Sequence, residues 1–157
     1  RQRLYLTVNI LTNWAINRQK NTVFGGSQLR PNLHIQDMSD LYKQLLIEDG
    51  RKIRGQTFNV GYQNMSVMDI ALLVSRVVQE ETPEEADICI EKSSSDDLRS
   101  YHINSDKIKN IINFEPKYPI EDAVRELCDA FKENKLPLSF DDNQYFNVRQ
   151  MKALNVV

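Results

Sequence analysis

The sequence has no marked excess of one charge and no long apolar run. Its 20 lysines and arginines nearly balance its 22 aspartates and glutamates, so its electrostatic field does not favour nucleic acid or an anionic membrane as a partner. No apolar run approaches the roughly 20 residues that span a bilayer, and the first residues lack the regions of a signal peptide. We therefore expect a cytoplasmic protein whose 157 residues fit one domain.

Cysteine and histidine are also scarce. Cys89 and Cys128 both lie in apolar patterns and have no Cys-x-x-Cys spacing, which predicts two buried thiols rather than a disulfide. Neither histidine belongs to a zinc-binding pattern, so we predict no metal site. His34 is expected to make a structural hydrogen bond close to the start of a helix.

One short stretch combines a glycine turn, an arginine, a proline and a helix start. Gly25 and Gly26 lack a Cβ, so the sequence predicts a turn that a ligand can approach closely. Pro31 disfavours a helical backbone at Arg30, so the guanidinium is presented from an extended segment. Asp37 is predicted to be the N-cap of a helix that begins at the next residue.

The periodicity of apolar residues indicates helices that alternate with short strands. Helices are predicted at residues 4–18 and after Asp37, Ser66, Ser105 and Pro119; strands are predicted at residues 22–24, 57–60 and 88–90. Ser66 with Asp69 resembles a capping box. The pattern loosens towards the end, so we expect a body at residues 1–135 and a C-terminal arm or short helix at residues 136–157.

Four segments carry a resemblance to a known family. They are TVFGGSQLRPNLHIQD at residues 22–37, TFNVG at 57–61, DLRSYHINSDKI at 97–108 and FEPKYPIEDAV at 114–124. In this order they resemble motifs from the C-terminal half of the extended short-chain dehydrogenase/reductases, the NAD-dependent nucleotide-sugar epimerases and dehydratases. The resemblance implies an α/β fold, namely the substrate-binding portion of a Rossmann-type enzyme, built of helices with short strands.

The family's cofactor and proton-transfer motifs have no counterpart in this chain. These enzymes hold NAD on a Gly-x-x-Gly-x-x-Gly turn and use a Tyr-x-x-x-Lys pair. The 5 glycines lack that spacing, and none of the 6 tyrosines is followed by a lysine four residues later. We therefore predict no catalytic and no cofactor-binding residue in this chain. The resemblance implies that NAD is bound by an N-terminal Rossmann half or a partner chain, because the cofactor carries the hydride chemistry.

The resemblance also implies a set of substrate-binding residues. Arg30 takes the family's diphosphate-binding position, and Arg99 is a second candidate on a loop that covers the diphosphate. Phe24 corresponds to a residue that lies against the nucleobase, although a core residue of a short strand is an alternative. Tyr101 either closes the pocket or packs against the body. Asn9 lies in the region that meets the diphosphate, although a surface position is its alternative. We expect Arg30 and Arg99 to converge on one anion pocket.

The functional interpretation follows from that resemblance. We expect the substrate-binding part of a nucleotide-sugar epimerase or dehydratase, which positions a nucleoside-diphosphate sugar for hydride transfer. The alternatives are a non-catalytic nucleotide-sugar-binding or regulatory module and a structural subunit of a polysaccharide-synthesis assembly. The resemblance implies that the strand at residues 57–60 belongs to the edge of the cofactor-domain sheet. Without that sheet its backbone would be unpaired, so we expect either a partner chain or poor solubility of the isolated chain.

Overall fold

The computed structural model describes residues 2–84, 87–95 and 99–156. Helices and strands alternate along most of the chain, as the apolar periodicity predicts. The elements are α1 Thr7–Arg18, β1 Lys20–Phe24, β2 Leu29–Asn32, α2 Ile35–Ile47, α3 Gly50–Ile53, β3 Gln63–Ser66, α4 Val67–Glu81, β4 Cys89–Ser93, α5 Asp106–Ile112, α6 Ile120–Lys132 and α7 Asn147–Ala153. A 3₁₀ turn, Asn143–Tyr145, precedes α7.

The strands form two separate pairs. β1 and β4 run parallel, with Lys20 opposite Cys89 and Phe24 opposite Ser93. β2 and β3 run antiparallel, with Leu29 opposite Ser66. A two-stranded ribbon is marginal by itself, so both pairs depend on the helices that pack against them.

The larger core lies between β1 and the helices α1, α4 and α6. Helix α4 contributes its whole inner stripe, which includes Ile70, Val74 and Val78 with no exposed surface. Val23 of β1 and Val124 of α6 meet this stripe and are equally buried. Full burial of one such side chain is worth about 1.5–3 kcal/mol, so this cluster stabilises the layer that carries β1.

A smaller core joins α2 to α5. Leu41 of α2 packs with Ile108, Ile112 and Phe114, all buried. The amide of Gln44 donates to the carbonyl oxygen of Ile112 over 2.6 Å and caps the end of α5. This second cluster fixes α2 relative to the segment that follows residue 105.

The start of α2 differs from the sequence expectation. The helix begins at Ile35, and its N-cap is His34, whose Nδ1 accepts from the backbone N–H of Gln36 over 3.1 Å. The prediction of Asp37 as the cap was wrong because an extended His34 already satisfies this helix end. The structural hydrogen bond expected of His34 is confirmed.

The carboxylate of Asp37 instead accepts hydrogen bonds from a distant segment. It is buried and accepts from the backbone N–H groups of Lys117 (2.9 Å) and Tyr118 (3.1 Å). These residues lie just before α6. Asp37 therefore ties the first turn of α2 to the entry into α6.

Residues 57–60 do not form the predicted strand. Within the described ranges no strand lies beside them, so this segment has no ladder in which to pair. Phe58 and Val60 instead pack against the smaller core. The strand that does form here is β3, which begins three residues later in the segment QNMS and pairs with β2.

Two predicted helix caps have different outcomes. At α4 the capping box is confirmed, because the Ser66 hydroxyl accepts from the backbone N–H of Asp69 over 3.0 Å and donates to its carboxylate. At α5 the Ser105 hydroxyl does not cap the helix but bonds to the backbone of Gly61. Asn104 supplies the cap instead, through its side-chain oxygen to the N–H of Asp106 over 2.8 Å.

The first part of the C-terminal segment contacts α1 and the residues before it. The Ser139 hydroxyl donates to Oδ1 of Asn13 over 2.8 Å, and both residues are buried. Near the first residues, the N–H of Leu4 donates to the carbonyl of Tyr145 over 3.3 Å. Helix α7 lies further along this segment, and the division of the chain into a body and an arm stays a prediction. In the described part of the chain, no helix combines the length and hydrophobicity needed to cross a membrane.

Candidate anion site beside the antiparallel strand pair

Strand β2 presents Arg30 as Pro31 predicts. The residue is extended and pairs with Met65 of β3. Its Nη1 donates to the carbonyl oxygens of Leu29 (2.9 Å) and Arg99 (2.6 Å). The guanidinium carbon also lies 5.4 Å from the centre of the Tyr101 ring, within the range of a cation–π contact. Three of the predicted site residues therefore meet at one place.

The segment around Tyr101 is held along this strand pair by the backbone and by short polar side chains. The N–H of Tyr101 donates to the carbonyl of Leu29 over 3.1 Å, and the Ser100 hydroxyl accepts from the N–H of Leu29 over 2.8 Å. Further on, the Asn64 amide exchanges two bonds with the backbone of Ile103, at 2.9 and 3.0 Å. Residues 99–103 thus line the ribbon as an additional edge.

Two nitrogens of the Arg30 guanidinium make no bond to a described residue. Both of its hydrogen bonds involve Nη1, and no hydrogen bond or ion pair between described residues involves Nε or Nη2. Arg99 is exposed and its backbone lies against Arg30. The expected convergence of both guanidinium groups on one anion stays a prediction.

The backbone amides of the glycine turn before β2 donate to other groups of the protein. Gly25 and Gly26 have φ of 75° and 112°, which glycine adopts readily. The N–H of Gly25 donates to the carbonyl of Ser93 over 2.9 Å, and that of Gly26 donates to Oε1 of Gln28 over 2.6 Å. Both amides therefore already have partners inside the protein, and the close approach of a ligand to this turn stays a prediction.

Gln28 explains why glycine stands at this turn. A Cβ at Gly25 would lie 2.9 Å from the Gln28 side-chain oxygen, which is a clash. Gln28 is buried, and its Nε2 donates to the carbonyl of Phe24 over 2.6 Å. The turn is thus locked by one glutamine, and it sets the position of β2 relative to β1.

The aromatic ring of Phe24 lies at the end of β1 and is 51% exposed. The alternative of an ordinary core residue is therefore wrong. An exposed flat ring at the edge of the turn can stack against another ring. Contact with a nucleobase stays a prediction.

Asn9 is engaged with the chain's own backbone. Its Nδ2 donates to the carbonyl oxygen of Arg3 over 2.8 Å, which fixes α1 to the segment before it. No hydrogen bond between described residues joins Asn9 to Arg30 or Tyr101. Its predicted role towards a diphosphate is untested.

A pocket of about 450 Å³ lies at a different place, between the ends of α1 and α6 and the loop at residues 134–141. None of the predicted site residues lines it. Cys128 does, and burial raises the pKa of its thiol to about 11, with the nearby Glu81 carboxylate acting in the same direction. The pocket therefore has no reactive nucleophile from this cysteine.

The other thiol departs from its prediction. Cys89 is exposed, not buried, because it lies on the outer side of β4, as do Glu91 and the opposite Lys20. Successive side chains of a strand point to opposite faces, and β4 faces the protein interior on one side only. The prediction of two free thiols rather than a disulfide is confirmed.

These environments predict different reactivities for the two cysteines. At pH 8 we expect iodoacetamide to modify Cys89 and to leave Cys128 intact, since only about one Cys128 thiol in a thousand is ionised there and the thiolate is the nucleophile. Peptide mass spectrometry after a timed reaction measures both sites. Modification in urea provides the control, in which both react. Equal rates at the two sites in the folded protein would contradict the assignment.

Some positioning residues were missed by the sequence interpretation. Gln28, Asn64 and Ser100 hold the turn, β3 and the neighbouring segment together. The only available signal was their short polar side chains within otherwise extended segments. Their partners lie as far as 71 residues away, which no local pattern reveals. Among described residues, no group of histidine, cysteine, aspartate and glutamate is arranged to hold a metal ion.

Comparison with solved structures shows the fold. The chain is similar to dTDP-glucose 4,6-dehydratase from Bacillus anthracis, solved in complex with NAD, with 21% identity and a TM-score of 0.65 over 85% of this chain and 41% of that one. It is also similar to UDP-glucose 4-epimerase from Thermotoga maritima, solved with UDP-glucose, with 18% identity and a TM-score of 0.66 over 86% of this chain and 43% of that one.

A third similar structure is L-threonine dehydrogenase from Phytophthora infestans, with 10% identity and a TM-score of 0.66 over 82% of this chain and 41% of that one. No family model and no curated protein sequence matches the chain. The chain spans about two fifths of the length of these solved neighbours. The predicted α/β fold is confirmed, and the solved structures that share it include nucleotide-sugar epimerases and a nucleotide-sugar dehydratase.

Proposed function

We propose that this chain is the substrate-binding part of an NAD-dependent nucleotide-sugar epimerase or dehydratase, in which it positions a nucleoside-diphosphate sugar for hydride transfer. The observation that carries the proposal is the arrangement of Arg30. Two carbonyl oxygens hold its Nη1, and no described residue bonds to its Nε or Nη2. A fixed planar cation of this kind matches the paired oxygens of a diphosphate.

The neighbouring rings suit the rest of such a ligand. Tyr101 is half exposed, and its ring lies 5.4 Å from the guanidinium carbon of Arg30. Phe24 presents its ring from β1, on the other side of the turn that leads to β2. In such a ligand one ribose separates the nucleobase from the diphosphate, so a ring and a cation on either side of a single turn can hold both. Holding the ligand at several points lowers the entropic cost of the reaction.

NAD does not fit the residues of this chain. A nicotinamide dinucleotide needs free backbone amides at a glycine-rich turn, and the amides of Gly25 and Gly26 donate to Ser93 and Gln28 instead. We therefore assign NAD to the N-terminal Rossmann half or a partner chain. This chain contributes binding and orientation, and no proton or hydride step is assigned to it.

Replacing Arg30 with alanine tests the proposal. We expect the affinity for a nucleoside-diphosphate sugar such as UDP-glucose to fall roughly 10- to 100-fold, because a charge-assisted pair is worth about 1.5–3 kcal/mol. Calorimetric titration with UDP-, GDP-, CDP- and dTDP-sugars measures it and shows which base is preferred.

Arg125→Ala is the matched control, since it removes the same charge from α6, where Glu80, Glu81 and Asp122 surround the arginine. Its affinity should be unchanged. If the Arg30→Ala protein bound with unaltered affinity, the assignment of Arg30 to an anion site would be refuted. Absence of binding to every sugar nucleotide would instead favour the structural-subunit alternative, and binding without turnover by the complete protein would favour the non-catalytic module.

A further inference from the structure

Three helices end at the pocket of about 450 Å³ that lies between α1, α6 and residues 134–141. The last turn of α1 contributes Ile16 and Asn17 to its lining. Helix α4 contributes its C-cap, Thr82, and α6 contributes Lys132 from its last turn. These helices also pack against one another in the larger core. Their C-terminal ends therefore meet at one place.

The convergence of these ends gives the pocket a negative electrostatic potential. The peptide dipoles of a helix sum to about half a negative charge at its C-terminal end. The effect is strongest within the last turn, and residues of that turn line the pocket in both α1 and α6. The backbone of three helices therefore favours a positive charge in this pocket and disfavours a negative one.

The charged side chains of the lining act in the same direction. Among the described residues that line the pocket, Lys132 and Asp141 are charged. Lys132 donates to Oε2 of Glu81 over 3.0 Å, so its charge is matched. No ion pair or side-chain hydrogen bond between described residues involves the Asp141 carboxylate, while the backbone N–H of Asp141 is held by the carbonyl of Leu138 at 2.9 Å. A carboxylate without a partner is suited to an ammonium or guanidinium group.

The rest of the lining suits an apolar body. Phe131, Leu136 and Phe140 are partly buried, and Cys128 is buried. The face of an aromatic ring also attracts cations. The chain itself shows this at Phe140, where the guanidinium carbon of Arg18, a residue outside the lining, lies 4.0 Å from the ring centre. The pocket thus combines apolar walls with a preference for positive charge.

We propose that this pocket is a binding site for a small organic cation, in which an apolar or aromatic body carries a primary ammonium or guanidinium group. The body packs against Phe131 and Leu136, and the cationic group is held by the helix ends and the Asp141 carboxylate. The volume of about 450 Å³ falls within the range of small-molecule sites. The inference does not depend on the proposed function, because Arg30, Tyr101 and Phe24 do not line this pocket.

Two other classes of ligand fit the pocket less well. A metal ion needs several oxygen, nitrogen or sulfur ligands at about 2.0–2.6 Å, and the described part of the chain contains no group of acidic, histidine and cysteine side chains arranged to supply them. An anion such as phosphate would face the unpaired carboxylate of Asp141 and three negative helix ends. Its cationic partner would be Lys132, which already binds Glu81.

Titration with 2-phenylethylamine tests the proposal. This amine is positively charged at pH 7, and 2-phenylethanol and 3-phenylpropionate are its neutral and anionic counterparts. We expect the amine to bind about tenfold more tightly than the alcohol, because the weak attractions of the carboxylate and the helix ends add, and the propionate to bind more weakly than the alcohol. NMR spectra of the isotope-labelled protein measure the affinity and the location. The shifted amides should be those of residues 131–141 and not those of residues 28–32.

Asp141→Asn keeps the size of the side chain and removes its charge. It should weaken binding of the amine about threefold, as expected for an exposed charge pair, and leave the affinity for the alcohol unchanged. Asp106→Asn is the matched control, since it removes an exposed carboxylate from the start of α5, which does not line the pocket. It should change neither affinity. Added salt should weaken binding of the amine alone.

Several results would overturn the inference. They are equal affinities for the amine and the alcohol, amide shifts confined to residues outside the lining, equal effects of the two asparagine variants, and no binding of the amine at millimolar concentration. Each of these outcomes leaves the assignment of Arg30 to a sugar nucleotide as it stands. Conversely, a protein that binds the amine in this pocket but binds no sugar nucleotide would retain the cation site and refute the proposed function.

Discussion

Asp37→Ala is expected to reduce the free energy of unfolding by about 2–3 kcal/mol, because it leaves two partly buried backbone donors without an acceptor, and a fully buried donor would cost about 1–3 kcal/mol. Those donors are the N–H groups of Lys117 and Tyr118, at 2.9 and 3.1 Å from the carboxylate. Asp37 itself is 2% exposed, so water cannot easily replace it. Urea unfolding followed by circular dichroism measures the loss.

Two further variants make this result specific. Asp37→Asn keeps one side-chain acceptor and should lose less stability than alanine does. Asp40→Ala changes a carboxylate on the outer side of the same helix, where a hydrogen bond from Lys43 lowers the pKa of the acid. That exposed pair is screened by water, so we expect no measurable change. Similar losses for Asp37→Ala and Asp40→Ala would show that the buried acceptor has no special role.

Gln28→Met is expected to cost about 2–3 kcal/mol, since it fills the same space but removes the donor and the acceptor that lock the glycine turn. The N–H of Gly26 and the carbonyl of Phe24 would both lose their partner, each now at 2.6 Å. The turn positions β2, so sugar-nucleotide affinity should fall as well. Thermal unfolding and calorimetric titration measure the two effects.

The adjacent Ser27 supplies the control for this prediction. Ser27 is exposed, and Ser27→Ala should change neither stability nor binding. Gln28→Glu keeps an acceptor for the N–H of Gly26 but loses the donor to Phe24, so it should fall between the wild type and Gln28→Met. A Gln28→Met protein with unchanged stability would mean that the turn holds its shape without this side chain.

Helices were more predictable from the sequence than strands, for a physical reason. The apolar stripe of α4 repeats at helical spacing, and its cap joins Ser66 to Asp69, three residues away. Both features depend on residues close in sequence, so the sequence pattern predicts them. A strand forms only with a partner. Residues 57–60 favour a strand by composition but have no neighbour in the described chain, whereas the polar segment of β3 forms one because β2 lies beside it.

The same distinction applies to the site. The extended presentation of Arg30 follows from the adjacent Pro31, and the sequence sufficed to predict it. The contact between Arg30 and the carbonyl of Arg99 joins positions 69 residues apart, and only the resemblance to a family placed them together. The role of Gln28 was not predicted, since the filling of a turn by a nearby side chain depends on the path of the backbone.

The docking of the C-terminal arm has a consequence for the order of folding. The bond between Ser139 and Asn13 closes a loop of 126 residues. Bringing such distant positions together costs chain entropy before the contact stabilises anything. The arm should therefore settle onto α1 late, after the central helices have assembled. Native segments open locally with different free energies. The arm, which forms late, should therefore also be among the first segments to detach on heating or in denaturant.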